Sequence, residues 1–194
     1  MLNKNTFLKV GLIGFNKSNG HFFSYPAIIN GYNKKNFKKL NSTKIFNYLE
    51  VEPKRKFDIK NAKITSVWCQ NYNLTQKVSK ACNIKNPVRN YKDMLNNVDA
   101  VIIARDDWKS HIKLSSFFIR NKIKVFIDKP LTLSKKELIF FSKYLKSKLI
   151  MSCSALRFSK EFKKNKNLKV NEIRLFTVND YNKYTILMLE FAYV

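Results

Sequence analysis

Lys129 is the residue whose neighbours best suit it to handle a proton. It lies in Val125-Phe126-Ile127-Asp128-Lys129-Pro130, where an apolar run that reads as a buried strand stops on an acid, a base and a proline. A lysine amine desolvated at a strand end takes a proton from a hydroxyl, and its ammonium form polarises a carbonyl in the reverse direction. Pro130 fixes the backbone after it and restricts Lys129 to extended geometry. The plainer reading is a snorkelling surface lysine, common in a chain with 38 Lys and Arg residues. A second polar cluster, Arg105-Asp106-Asp107, follows another apolar run, Ala100-Val101-Ile102-Ile103-Ala104. Asp106 or Asp107 suits bonds to sugar hydroxyls, or the capping of a helix. His111 follows one turn later.

Both clusters need elements to carry them. Strand, turn, helix and strand from Asp99 to Pro130 make one βαβ unit, right-handed by the general rule. In open sheets of this kind ligands sit beyond the carboxyl ends of the strands, where both clusters fall. The apolar run Ala100 to Ala104 predicts a strand buried on both faces. Phe7 to Ile13 reads as a first strand, followed by Gly14-Phe15-Asn16-Lys17-Ser18-Asn19-Gly20-His21 and a helix from Phe22 to Asn30. Pro26 is tolerable in that helix only near its first turn. Strand, glycine-bearing turn and helix place phosphate at a helix N-terminus. Gly11, Gly14 and Gly20 do not fit G-x-G-x-x-G. Asn16 and Asn19, which adopt left-handed backbone geometry readily, stand in for glycine in part, with an ordinary turn as the alternative.

From 31 to 61 the pattern lapses into a polar, basic loop with one short surface helix around Ile45, Phe46, Tyr48 and Leu49. The second strand, Ala62 to Cys69, ends on Gln70-Asn71, where dinucleotide folds carry an acid for the adenosine ribose. A neutral amide bonds a ribose and does not repel a 2′-phosphate, so NAD and NADP are both open. Leu74 to Cys82 reads as a helix capped by Asn73. Asn86-Pro87-Val88 is extended and Tyr91 to Asn96 a short helix. Ser134 to Ser147 is a helix with Ser134 and Glu137 in capping-box spacing and Leu138, Phe141 and Leu145 on one face. Leu149 to Cys153 is a further strand. The alternation argues for an α/β fold with a doubly wound parallel sheet.

Composition bounds the rest. A chain of 194 residues makes one domain and a fragment of another, and 45% hydrophobic residues build a real core. No apolar run approaches the roughly 20 residues of a membrane span. Met1-Leu2-Asn3-Lys4 lacks the apolar core of a signal peptide. Cys69, Cys82 and Cys153 are scattered without metal spacing and read as buried free thiols in a reducing cytosol, with no metal expected. The net charge of +25 raises nucleic acid or anionic membrane as partners. Lys, Asn, Ile and Phe are abundant together while Gly and Pro number 4 each, the joint bias of an AT-rich coding sequence. The charge therefore reads as a solvated basic surface, with no specific nucleic acid and no membrane partner, that steers an anionic cofactor inward.

Three segments, Val10-Gly11-Leu12-Ile13-Gly14, the run from Asp99 to His111, and Val125-Phe126-Ile127-Asp128-Lys129-Pro130-Leu131, resemble in order and spacing the glucose–fructose oxidoreductase, inositol dehydrogenase and MocA (Gfo/Idh/MocA) family. The last is similar to the family's E/D-K-P motif, and Ser154-Ala155-Leu156-Arg157-Phe158 to its arginine-aromatic segment. Gly20-His21 with Ser24 resembles a subgroup with a G-H-x-x-S turn in place of the usual glycines. The resemblance implies a Rossmann-like NAD(P)-binding domain over 1–153 and only the start of a second α/β domain, for substrate, over 154–194. In that second part, Glu172 to Val178 reads as a strand and Tyr184 to Ala192 as a helix.

The implied activity is hydride transfer between a nicotinamide cofactor, NAD or NADP, and a hydroxyl of a small polyhydroxylated substrate, sugar-like or cyclitol. Lys129 is then catalytic. Cofactor contacts fall to Gly14, Asn16, Asn19, Gly20, His21, Asn71, Arg105, Asp106, His111, Asp128 and Pro130. His111 lies near the nicotinamide or its ribose, or is buried against the sheet. Arg157 binds substrate or anchors the domain junction. Relatives usually draw an acid/base histidine from the second domain, where this sequence has Leu187. The chain thus reads as a fragment or a truncated product, and the alternative function is a nucleotide-binding remnant or regulatory module without turnover. A homo-oligomer is left open.

Overall fold

A computed structural model describes residues 7–17, 19–51, 58–158, 171–177 and 181–193. Six strands carry the sheet: β1 (Leu8–Ile13), β2 (Ala62–Trp68), β3 (Asn86–Pro87), β4 (Ala100–Ile103), β5 (Lys124–Ile127) and β6 (Ile150–Met151). They lie in the order β3-β2-β1-β4-β5-β6, and every pairing is parallel. Strand order reverses beside β1, so the crevice between the ends of β1 and β4 is where such a sheet takes ligands. The expected doubly wound sheet is the observed one.

Helices α1 (His21–Asn30), α4 (Tyr72–Ala81), α5 (His111–Arg120) and α6 (Lys135–Lys146) cover the strands, and α7 (Tyr181–Tyr193) follows. Two apolar cores form, because alternate residues of one strand point to opposite faces. Leu12, Phe22, Ile64 and Val67 belong to one core; Ile13, Val101, Ile103, Phe118, Ile127 and Phe141 belong to the other. Gly14 lets α1 close onto β1. A Cβ there would lie 2.0 Å from Cδ2 of Phe22 and 2.9 Å from its Cβ.

Several expectations need correction. The stretch after α1 is not a loop with one short helix: it folds as α2 (Lys34–Lys38) and α3 (Thr43–Val51), with Phe37 and Leu49 fully buried in the core that α1, β2 and α4 also enter. Pro26 is the sixth residue of α1, well past its first turn. The cap of α4 is Asn71, whose side-chain oxygen accepts the Leu74 N–H at 3.0 Å, so Asn73 lies inside the helix. β4 is buried on one face only; Ala100 and Ile102 on the other are half-covered. Of the expected α6 stripe only Phe141 is buried, while Leu138 is 50% exposed. Ser134 caps α6, but Glu137 accepts the Thr132 hydroxyl instead of closing the capping box. No strand forms over 172–177, and Val178 lies outside the described residues. Among the described residues no helix is long and apolar enough to cross a membrane.

Candidate active site

Asp128 sits directly past the end of β5, is 1% exposed, and organises everything near it. Its Oδ1 accepts the Lys129 backbone N–H at 2.9 Å. Its Oδ2 accepts the Asn19 amide at 2.8 Å and faces Nδ1 of His21 at 2.5 Å. Asn19 turns its own oxygen to the His21 backbone N–H at 2.7 Å, fixing the start of α1. The His21 ring lies flat on Tyr25, centroids 4.7 Å apart and planes 11° from parallel. Burial, and then the Asp128 carboxylate and Cys153, push the Tyr25 phenol upward from its usual 10, so it stays neutral beside the pair.

Lys129 is 8% exposed, and its ammonium lies 5.3 Å from the centroid of the Tyr184 ring on α7. The Lys129–Pro130 peptide is cis and Pro130 is buried. Between these groups opens a cavity of about 340 Å³ whose wall includes Gly20, His21, Tyr25, Asp106, Asp128, Lys129, Cys153, Ser154, Tyr184 and Leu187. Nine-tenths-buried polar groups converging on one concave space are the pattern of a small-molecule site.

The other nominated residues take distinct places. Asn16 donates to Asp106 Oδ1 at 2.5 Å, tying the turn after β1 to the end of β4. Arg105 grips Asp107 with two bonds of 2.7 Å and reaches the Phe15 carbonyl at 2.8 Å and Gln70 at 3.1 Å. Gln70 in turn donates to that same carbonyl at 2.6 Å. Asn71 spends its side-chain oxygen on the α4 cap. A Cβ on Gly20 would come within 2.5 Å of the tip of Ile45, so α3 rests on that residue. Of the two places open to His111, the structure shows the buried one. It is fully buried, with Nδ1 2.9 Å from the Leu131 carbonyl and Nε2 2.9 Å from the Arg105 carbonyl. It bolts together the segments that follow β4 and β5.

Arg157 lies on a short 3-10 turn after β6, 3.6 Å from Glu190 of α7. Glu190, 6% exposed, also accepts the Ser154 N–H at 2.5 Å. This is the anchoring alternative for Arg157, and it joins α7 to the cavity wall. Glu190 went unnoticed in the sequence, although a lone acid inside Ile186-Leu187-Met188-Leu189-Glu190 signals a buried polar anchor. Tyr25 also went unnoticed, although it stands four residues after His21 on the same helix face. All three cysteines are free and buried.

For a nicotinamide dinucleotide the fit is good at one end and sparse at the other. Gly20 itself brings no side-chain cap to the N-terminus of α1, and the buried side-chain oxygens of Asn16 and Ser154 have no hydrogen-bond partner among the described residues. A ligand rich in hydroxyls or phosphates suits such groups. The end of β2 offers Gln70 and Asn71 and no carboxylate.

A doubly wound sheet of this strand order with its polar residues gathered at the switch point defines a Rossmann dinucleotide-binding domain. Residues 8–149 match the oxidoreductase family with the NAD-binding Rossmann fold, and the chain belongs to this Gfo/Idh/MocA family. No curated protein is significantly similar in sequence. Among solved structures, the fold is similar to that of myo-inositol 2-dehydrogenase from Lactobacillus plantarum, with TM-score 0.56, 18% identity, and 81% of this chain and 39% of that one covered. It is also similar to scyllo-inositol dehydrogenase from Lactobacillus casei with bound NAD(H) and scyllo-inositol, with TM-score 0.52, 14% identity, and coverage of 81% and 39%. A 3-ketoreductase from Actinomadura kijaniata in complex with TDP-benzene and NADP gives TM-score 0.51, 16% identity, and coverage of 79% and 40%. The chain spans about two fifths of the length of these structures.

Proposed function

We propose that this chain is the cofactor-binding part of an NAD(P)-dependent oxidoreductase that moves a hydride between a nicotinamide and a hydroxyl of a sugar-like or cyclitol substrate. The observation that carries the reading is Lys129, seated on buried Asp128 at the carboxyl edge of the sheet and opening into the 340 Å³ cavity. The turn of Gly14, Asn16, Asn19 and Gly20 and the start of α1 hold the phosphates, with Asp106, Asp128 and Pro130 near the nicotinamide end. A bound nicotinamide supplies or accepts the hydride. Lys129, as ammonium, donates to the reacting oxygen and steadies negative charge on it. The division at 153/154 belongs to this reading, as does a cytoplasmic setting, which the free thiols support.

The test is calorimetric titration of the folded chain with NADH and NADPH, with nicotinamide absorbance followed over a panel of sugars and cyclitols. Lys129→Ala is expected to lower turnover by roughly two to four powers of ten with dinucleotide affinity little changed. Lys129→Arg also fails, since a planar guanidinium does not reproduce a compact ammonium in so enclosed a place. No heat with either dinucleotide overturns the cofactor assignment, and equal turnover with and without Lys129 removes it from the mechanism. A second reading, a nucleotide-binding module without turnover, is favoured by Leu187, which places an apolar side chain in the cavity wall. Dinucleotide binding with no turnover on any substrate selects it.

A further inference from the structure

We infer that His21, oriented by Asp128, is the proton acceptor of this cavity. The inference rests on the oxidoreductase reading and adds to it a second proton-handling residue. The chain has two histidines. His111 is sealed, with both ring nitrogens against carbonyls. His21 differs in every respect. Its Nδ1 meets the fully buried Asp128 carboxylate at 2.5 Å, its side chain is 34% exposed, and it forms part of the cavity wall. Nε2 has no hydrogen bond from the described residues.

A carboxylate only accepts, so it takes the Nδ1 hydrogen and leaves the lone pair of the neutral ring on Nε2. The orientation is over-determined. Asn19 holds the other side of the same Asp128 oxygen, its amide oxygen fixes the His21 backbone, and Tyr25 lies flat against the ring. Two residues that are 107 positions apart are thereby joined as an acid-oriented imidazole beside Lys129. An ammonium donates three hydrogen bonds and accepts none, so Lys129 in that form steadies a substrate oxygen but does not take its proton.

The step balances with an oxidised nicotinamide as the co-reactant. The hydroxyl O–H bond breaks and its proton goes to Nε2 of His21. The carbinol C–H bond breaks with both electrons, as hydride to the nicotinamide ring, and the carbon–oxygen bond becomes a carbonyl. The imidazolium so formed is paired with Asp128 and releases its proton through the exposed edge of the ring.

Histidine ring-nitrogen correlation spectra of the labelled chain test this without any turnover, and His21→Gln identifies which of the two signal sets belongs to His21. The neutral His21 ring is expected to carry hydrogen on Nδ1 and none on Nε2, and Asp128→Asn to shift it toward the opposite tautomer. Diethyl pyrocarbonate, which attacks an unprotonated imidazole nitrogen, is expected to modify one histidine per chain, abolished by His21→Gln. An Nε2–H tautomer in the wild type, or no modification, overturns the proposal; both readouts stand even if Asp128→Asn does not fold. In the dinucleotide-loaded chain, His21→Gln is expected to lower turnover by about two to four powers of ten at unchanged dinucleotide affinity. Lost affinity at unchanged turnover makes His21 a phosphate contact and overturns the proposal, as does a wild-type chain that binds dinucleotide and turns nothing over. A wild type that binds no dinucleotide is the failure of the oxidoreductase reading instead, and the tautomer then decides the pair alone.

Discussion

At the scale of single residues, the site depends on side chains that fix one another as much as on those that face the cavity. Asp128 is the clearest case, with both oxygens spoken for by Lys129, Asn19 and His21. Gly14 shows the same economy by omission. The Phe22 side chain occupies the place of its missing Cβ, down to the ring's first carbons, which have no freedom to retreat. Gly20 meets only the tip of Ile45, the far end of a flexible side chain. Gly14→Ala is therefore expected to destabilise by about 1–3 kcal/mol, with Gly20→Ala well below it. Urea unfolding of the two variants checks the order, and a larger loss at Gly20 contradicts this account of the turn.

At the scale of elements, the β4–α5–β5 unit was legible because its apolar runs end abruptly on charged clusters, and a strand end is where such a cluster has a use. The region from 31 to 61 was not legible, and the reason is physical. Each of α2 and α3 buries one large side chain completely, Phe37 and Leu49, within a Lys- and Asn-rich surface. A five-residue helix completes too few turns for a periodic stripe to show. The cap of α4 falls two residues before Asn73 because Asn71 and Asn73 have equal capping propensity, and only backbone geometry chooses between them. The His21–Asp128 pair was equally hidden, since each partner was nominated but nothing local joins positions 107 apart. Phe37 stacks against Phe46 and lies edge-on to Tyr32 within the excursion, and its burial in the core shared with α1, β2 and α4 residues holds the excursion to the body of the fold. Phe37→Ala is expected to cost about 3–5 kcal/mol, measured as a lowered urea midpoint. A loss under one kcal/mol would mean that α2 and α3 ride on the surface after all.

At the scale of the whole molecule, the charge of +25 is the dominant long-range property. Among the described residues every Lys and Arg except Lys129 is exposed or half-buried, while the polar site draws on specific, largely buried groups. Association with DNA or RNA is therefore expected to be weak and non-specific, with affinity falling steeply as salt rises through counterion release. Gel shifts at physiological salt decide this, and a sequence-selective complex surviving there overturns it. The same field draws an anionic dinucleotide toward the strand ends at rates that fall with ionic strength.

What that dinucleotide meets on arrival is set by Arg105. One guanidinium holds the carbonyl of Phe15 after β1, the amide of Gln70 after β2 and the carboxylate of Asp107 after β4. In many folds the loops at such a rim are loose and settle around their ligand, giving up about 1–2 kcal/mol of backbone freedom for each residue ordered. Here three of them are fastened to each other when the chain folds. The loss of freedom is charged to folding, is complete before any ligand approaches, and leaves a rim already shaped for its guest.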